Sequence, residues 1–329
     1  MLRFALLGAG RIGRMHADNL ARHTGAELAC VYDVAEAAAR QVADKHGARV
    51  ADTVDAALSG DVDAVLIASS TDTHVDLIEA AAARGKAILC EKPIDLSIER
   101  VEACREKIAG TDVPVMVGFN RRFDPTHRAV RDAAAAGEIG TIEQVVISSR
   151  DPGPPPRAYL EVCGGLFRDM MIHDFDLARF VLGEEPVEVT ALGSALFDAN
   201  ARDLGDIDSG MVLMRTESGK LAHVNCSRRA VYGYDQRLEI HGSEGMLRSG
   251  NRRATEMDRW SKSATACREP LLDFFIERYA DAYVAEIDEF LAAVSEGRAP
   301  SVGFEDGRRA LLLADAALES LKTGKTVRV

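Results

Sequence analysis

Leu2-Arg3-Phe4-Ala5-Leu6-Leu7-Gly8-Ala9-Gly10-Arg11-Ile12-Gly13 opens the chain and decides its fold. The run from Leu2 to Leu7 reads as a buried parallel strand, and the pattern after Gly13 reads as the helix that follows it. Gly8 permits the tight turn between them, Gly10 lets the backbone approach a pyrophosphate, and Gly13 lets the helix lie against the strand. The helix N-terminus then faces the phosphates, and Arg11 and Ile12, within the glycine turn, are expected cofactor contacts. Twenty residues past Gly13, Asp33 ends a second strand over 27–33. A carboxylate there accepts ribose hydroxyls and repels a 2′-phosphate, so the expected cofactor is NAD rather than NADP.

Outward from this unit, strand and helix alternate at short spacing. Helices are expected over 35–46, 53–59, 73–84 and 97–109, and strands over 63–68, 86–90 and 113–118. Apolar strands separated by amphipathic helices indicate a parallel sheet covered on both faces, with ligands at the carboxyl ends of the strands. Those ends supply further cofactor contacts: Ser69, Thr71, His74, Glu91, Lys92 and Arg121. After Gly140 the pattern changes to strands over 142–149, 187–197, 210–216, 221–228 and 236–241, several joined by hairpin-type turns. A long helical segment is expected over 165–182, and further helices over 271–295 and 304–321. The fold class expected is α/β: a Rossmann dinucleotide-binding domain over 1–121, then an α+β domain over 122–329 with a large, mostly antiparallel open sheet. An uncovered sheet face favours a homo-oligomer, dimer or tetramer.

Composition narrows the partners. The 329 residues suffice for about two domains, and 47% are hydrophobic, ordinary for a globular protein. No apolar run nears the ~20 residues that span a bilayer, and no cleavable leader is expected ahead of the first strand. A net charge of −12 argues against a nucleic-acid partner. The six cysteines form no CxxC and no zinc spacing. A reduced, cytoplasmic protein with no metal and no membrane partner is expected.

Asp169, His173 and Asp176 follow an i, i+4, i+7 spacing that puts them on one face of a helix. Their neighbours are mostly apolar, and buried charges without partners are costly, which favours a functional cluster. The alternative is a solvated stripe in which Asp169 offsets the helix dipole. Lys92, at a strand's carboxyl end, can touch a substrate hydroxyl; the alternative is an ordinary surface lysine.

Gly8–Gly13, Glu91-Lys92-Pro93, Gly118-Phe119-Asn120-Arg121-Arg122-Phe123-Asp124 and Gly164-Gly165 followed by Asp169 and His173-Asp174-Phe175-Asp176 resemble, in order, the Gfo/Idh/MocA family. These are NAD(P)-dependent sugar and polyol oxidoreductases. The stretches around Ser149-Arg150-Asp151-Pro152, Gly165–Asp176 and Tyr232-Gly233-Tyr234-Asp235-Gln236-Arg237 resemble its inositol dehydrogenases. The resemblance implies a catalytic constellation of Lys92, Asp169 and His173, with Asp176 and a tyrosine of the 232–234 segment, taken as Tyr234, on a polyol substrate. The chain departs from the better-known members at Ser149 and Asp151, where they carry His and Asn; Asp151 is the polyol contact expected there.

The implied reaction is oxidation of myo-inositol to 2-keto-myo-inositol by NAD. Alternatives are another polyol or sugar (scyllo-inositol, an aldose, a sugar acid) or a non-catalytic NAD-sensing regulator. His173 is the natural general base, being the one of the three whose ordinary pKa lies near neutrality. Asp169 would orient the substrate, and Lys92 would stabilise charge developing on the reacting oxygen. Arg150, Arg157 and Arg168 carry the sugar-acid alternative, because guanidinium forks match carboxylates.

Overall fold

The computed structural model describes residues 1–329, which form two compact units. The first comprises Met1–Phe123 and Asp281–Leu311, the second Asp124–Ala280 and Leu312–Val329. No helix is long and apolar enough to cross a membrane.

In the first unit, strands β1 (Leu2–Leu7), β2 (Ala26–Tyr32), β3 (Arg49–Val50), β4 (Ala64–Ile67), β5 (Ala87–Cys90) and β6 (Val115–Val117) form one parallel sheet. Their order is β3-β2-β1-β4-β5-β6, which reverses direction at β1, the switch point where doubly wound sheets bind ligands. Helices α1 (Arg11–Arg22), α2 (Glu36–His46), α3 (Val54–Leu58), α4 (His74–Ala82) and α5 (Ile98–Ile108) connect the strands. Every residue of β4 and β5 is buried, as a sheet between two helix layers requires.

The second unit starts with α6 (Pro125–Ala135), capped by Asp124, whose carboxylate accepts from the N–H groups of Thr126 and His127 at 3.1 and 3.0 Å. Its large sheet contains β7 (Ile142–Arg150), β8 (Pro186–Ser194), β9 (Ser209–Thr216), β10 (Leu221–Ser227), β11 (Asp235–Gly242) and β12 (Gly245–Ser249). A separate two-stranded ribbon pairs β13 (Asp258–Arg259) with β14 (Cys267–Arg268), and β15 (Val327–Arg328) closes the large sheet on β8. The order is β12-β11-β7-β10-β9-β8-β15, antiparallel throughout except for the parallel pair β7–β10. The unit's further helices are α7 (Arg157–Leu160), α8 (Gly165–Asp169), α9 (Ile172–Leu182), α10 (Ala199–Asp203) and α11 (Phe275–Arg278); α12 (Ala280–Glu296) belongs to the first unit from Asp281 on, and α13 (Phe304–Thr323) passes from the first unit to the second after Leu311. One face of the sheet buries Val145, Ile147, Val212, Val224 and Leu238 in a core shared with Phe175, Leu177 and Val181 of α9. The opposite face exposes Leu192, Met211 and Leu213.

Three expectations change, and one is the helix over 271–295, which starts only at Phe275 and divides into α11 and α12 at Tyr279. The segment over 165–182 is two helices, because the Leu166 carbonyl accepts from both Met170 and Met171 (3.1 and 3.0 Å). That widened turn ends α8 and lets both methionines enter the core. The units also divide differently from a cut at residue 121, since 281–311 pack with the first unit. Phe290 of α12 meets Phe4 of β1 with ring centroids 5.8 Å apart, and both are fully buried. Val117 N–H donates to Val302 O at 3.0 Å, and Gly303 bridges Met116, so the returning chain covers the β6 edge.

Candidate active site

α1 begins at Gly10 with no side-chain cap and no acidic residue in its first turn. Its first amides and the positive end of its dipole are therefore presented to an anion. Gly8 has φ +104°, and a Cβ there would lie 2.5 Å from the Ala68 backbone. A Cβ at Gly13 would lie 2.0 Å from Gly8 O, whereas one at Gly10 would enter open space. Glycines are thus forced at 8 and 13 by packing, and the room beside Gly10 fits a pyrophosphate. Asp33 is fixed beside this loop: Oδ2 accepts from Ala9 N–H at 2.6 Å and Oδ1 from Ala35 N–H at 2.8 Å. A carboxylate has about four acceptor positions, which leaves capacity for ribose hydroxyls. Arg11 is exposed and Ile12 half-buried in the first turn of α1.

Ser69 and Thr71 are half-buried just past β4, with the hydroxyls of Ser69 and Thr73 2.7 Å apart. His74, expected as a cofactor contact, is enclosed by protein. It is 1% exposed, with Nδ1 at 2.8 Å from Pro93 O and Nε2 at 3.2 Å from Ser69 O. Both ring nitrogens face protein carbonyls, and a neutral ring donates to only one of them. Burial lowers its pKa and favours the neutral ring. The half-buried Lys92 follows Glu91, whose carboxylate takes 2.8 Å from His16 Nε2 and accepts the Lys92 N–H at 3.3 Å. Arg121 is 3% exposed in the turn Asn120–Phe123.

In the second unit, Asp169 ends α8 and the half-buried His173 lies in the first turn of α9. The Tyr159 hydroxyl donates to Asp169 Oδ1 at 2.6 Å, and Arg228 Nη1 donates to Oδ2 at 3.1 Å. Arg228 is 1% exposed; burial opposes its charge, but Asp169, with Cys163, Asp206 and Asp151, outweighs burial and raises its pKa. Burial, then the Asp169 charge, raises the Tyr159 phenol and pushes the Cys163 thiol up to about 11. Both groups stay protonated near neutrality. The sequence reading missed Tyr159 and Arg228, which hold Asp169 from either side.

The remaining expected contacts fall in the same unit. Asp151 is half-buried, its N–H bonded to Ser227 O at 3.0 Å beside Arg228. Asp176 is 1% exposed and 3.4 Å from Arg179 Nη1. Tyr234 is 5% exposed, its ring edge-on to Phe274 and Tyr279. The three arginines of the sugar-acid alternative are all engaged within the protein. Arg150 bonds Tyr232, Asp235 and Asn225; Arg157 pairs with Glu161 and Asp203; Arg168 pairs with Asp315 at 2.6 Å.

Comparison with known proteins gives the family. Residues 2–119 match the oxidoreductase family with an NAD-binding Rossmann fold, and residues 127–248 match the GFO/IDH/MocA C-terminal domain. Inositol 2-dehydrogenase of Rhizobium meliloti (strain 1021) is 49% identical over 328 residues, spanning 100% of this chain and 99% of that protein. A myo-inositol dehydrogenase from Corynebacterium glutamicum ATCC 13032 superposes with a TM-score of 0.97 at 46% identity, covering 100% and 99% of the two chains. The myo-inositol dehydrogenase of Lactobacillus casei, in complex with NAD(H) and myo-inositol, superposes at 0.90 with 26% identity, covering 100% and 97%. With an NAD-binding Rossmann domain, a matching C-terminal domain and a full-length relative at 49% identity, the chain belongs to the GFO/IDH/MocA family of oxidoreductases.

Proposed function

We propose that this chain is an NAD-dependent inositol 2-dehydrogenase that oxidises myo-inositol to 2-keto-myo-inositol. The observation that carries this is Asp169, held by Tyr159 and Arg228 four residues before His173, in a chain 49% identical to an inositol 2-dehydrogenase. Bound NAD supplies the chemistry of hydride acceptance from the carbon. His173 accepts the proton of the C2 hydroxyl as general base. Lys92 donates to the same oxygen and stabilises the negative charge that develops there. Asp169 has its two oxygens engaged by Tyr159 and Arg228, which suits a group that orients substrate and imidazole rather than one that takes the proton. Asp151, Asp176 and Tyr234 accept and donate to the remaining hydroxyls; residues at the floor of a site expose only their tips, consistent with the burial of the last two. The engagement of Arg150, Arg157 and Arg168 in internal pairs disfavours a carboxylate substrate.

The reading also makes the enzyme a cytoplasmic homo-oligomer, a dimer or tetramer. Six cysteines without a disulfide suit a reducing compartment, and the exposed apolar face of the large sheet suits a second copy. His173→Ala tests the core of the proposal. It should lower kcat by about 10²–10⁴ with NADH affinity unchanged, and near-normal turnover would remove the assignment.

A further inference from the structure

Glu286 of α12 is fully buried in the first unit, and neither of its carboxylate oxygens has a hydrogen-bond partner. One turn earlier on the same helix, Tyr283 meets the His16 ring edge-on with centroids 5.6 Å apart. A Glu286 oxygen, a Glu91 oxygen and a His16 ring nitrogen all lie within 4.8 Å of one another. Two of those donors, His16 Nε2 and Glu91 Oε1, are already bonded to each other at 2.8 Å. That contact leaves Glu286 as the member of the group with no partner of its own.

An ionised carboxylate without a cation is costly in the interior, and a second one beside Glu91 costs more. Burial, and then the charge of Glu91, push the Glu286 carboxyl well above the usual carboxylate range. Glu91 in turn has little freedom. Its Oε2 accepts the Lys92 N–H, and a Cβ at Gly118 would lie 3.1 Å from that oxygen, so the carboxylate fills the space a side chain there would take.

We propose that Glu286 is a positioning residue: as a neutral carboxylic acid it donates its proton to the Glu91 carboxylate and so fixes the Glu91-Lys92-Pro93 turn that carries Lys92. An oxygen of each carboxyl group lies within 4.8 Å of the other, and rotation of the Glu286 side chain closes this to a charge-assisted hydrogen bond. His16 already holds Glu91 through Oε1, and the Lys92 amide is anchored on Oε2. The assignment rests on the proposed role of Lys92 at the reacting oxygen.

The test compares Glu286→Gln with Glu286→Leu in the full-length enzyme, alone and on a Lys92→Met background. Gln keeps a neutral donor and should hold kcat within about threefold of wild type. Leu should lower kcat about tenfold or more, with the KM values for NAD and myo-inositol within about threefold. On the Lys92→Met background, Leu should cause no further loss, because the two changes act through one group. Infrared spectroscopy in D2O should show the carbonyl stretch of a protonated buried acid in wild type and lose it in Glu286→Gln, and this holds even if the Leu variant does not fold. A Gln variant as impaired as Leu, or the absence of that band, would overturn the proposal. Full turnover in Lys92→Met would instead remove the assignment of Lys92, and the positioning role with it, while the band still reports the Glu286 proton.

Discussion

Arg228 donates from Nη1 to Oδ2 of Asp169 across 3.1 Å, and its side chain is 1% exposed. An ion pair so buried fixes direction, and a carboxylate that loses such a partner is left uncompensated. Tyr159 holds the other oxygen at 2.6 Å. Tyr159→Phe removes one hydrogen bond to a charged group, of the order of 1.5–3 kcal/mol, and should lower kcat by about 10–100-fold. The KM for NAD should stay put. Wild-type kcat in that variant would show that Asp169 needs no such support.

On the proposed reading Asp33 sets cofactor choice, its carboxylate being pinned by the Ala9 and Ala35 amides. Asp33→Ser with Val34→Arg should move kcat/KM from NAD towards NADP. Val34 is 92% exposed, so the added guanidinium meets no steric barrier. A wild type that uses both cofactors equally would contradict this account of Asp33.

Asp124 and Arg278, both fully buried, form an ion pair that also caps α6. Burial raises the Asp124 carboxyl, but the hydrogen bond from Arg278 and the charges of His127 and Arg278 outweigh it and hold the pKa below its ordinary 3.8. With the folded value depressed, the stabilisation is complete above 3.8 and is lost as pH falls through the folded value. Asp124→Asn strands a buried guanidinium and should cost about 3–5 kcal/mol near neutrality. The Tm gap between variant and wild type should narrow in strong acid. A gap that does not change with pH would show that the carboxylate's charge is irrelevant there.

Much of this organisation is visible in the sequence because the physics is local. Strands β4 and β5 are continuous apolar runs since both faces are buried, and Asp33 is found by its spacing from Gly13. The break at Met170-Met171 is invisible because apolar side chains continue across it while only the backbone bonding changes. The return of 281–311 to the first unit is equally hidden: an amphipathic helix shows that one face is buried, not that Phe290 meets Phe4. Arg228 lies 59 positions from Asp169, and nothing in its neighbourhood separates a buried arginine from a surface one.

Leu192 and Met211 are paired neighbours on β8 and β9, and Leu213 lies two residues further on the same face. They are 72%, 54% and 58% exposed. If a second copy covers this face, Met211→Glu with Leu213→Glu should turn a wild-type oligomer into monomer in sedimentation experiments. A monomeric wild type, or an unchanged oligomer in the variant, would show that the face is not used.

The substrate itself gives the most direct test. NADH formation should be measured with purified protein on myo-inositol and on a hexuronic acid, with wild type and Arg157→Ala in parallel. Arg157 already pairs with Glu161 and Asp203, so its loss should leave activity on myo-inositol close to wild type. We expect NAD-dependent turnover of myo-inositol to the 2-keto product and none of the acid. Turnover of the hexuronic acid that collapses in Arg157→Ala, with no activity on any inositol, would contradict the inositol assignment.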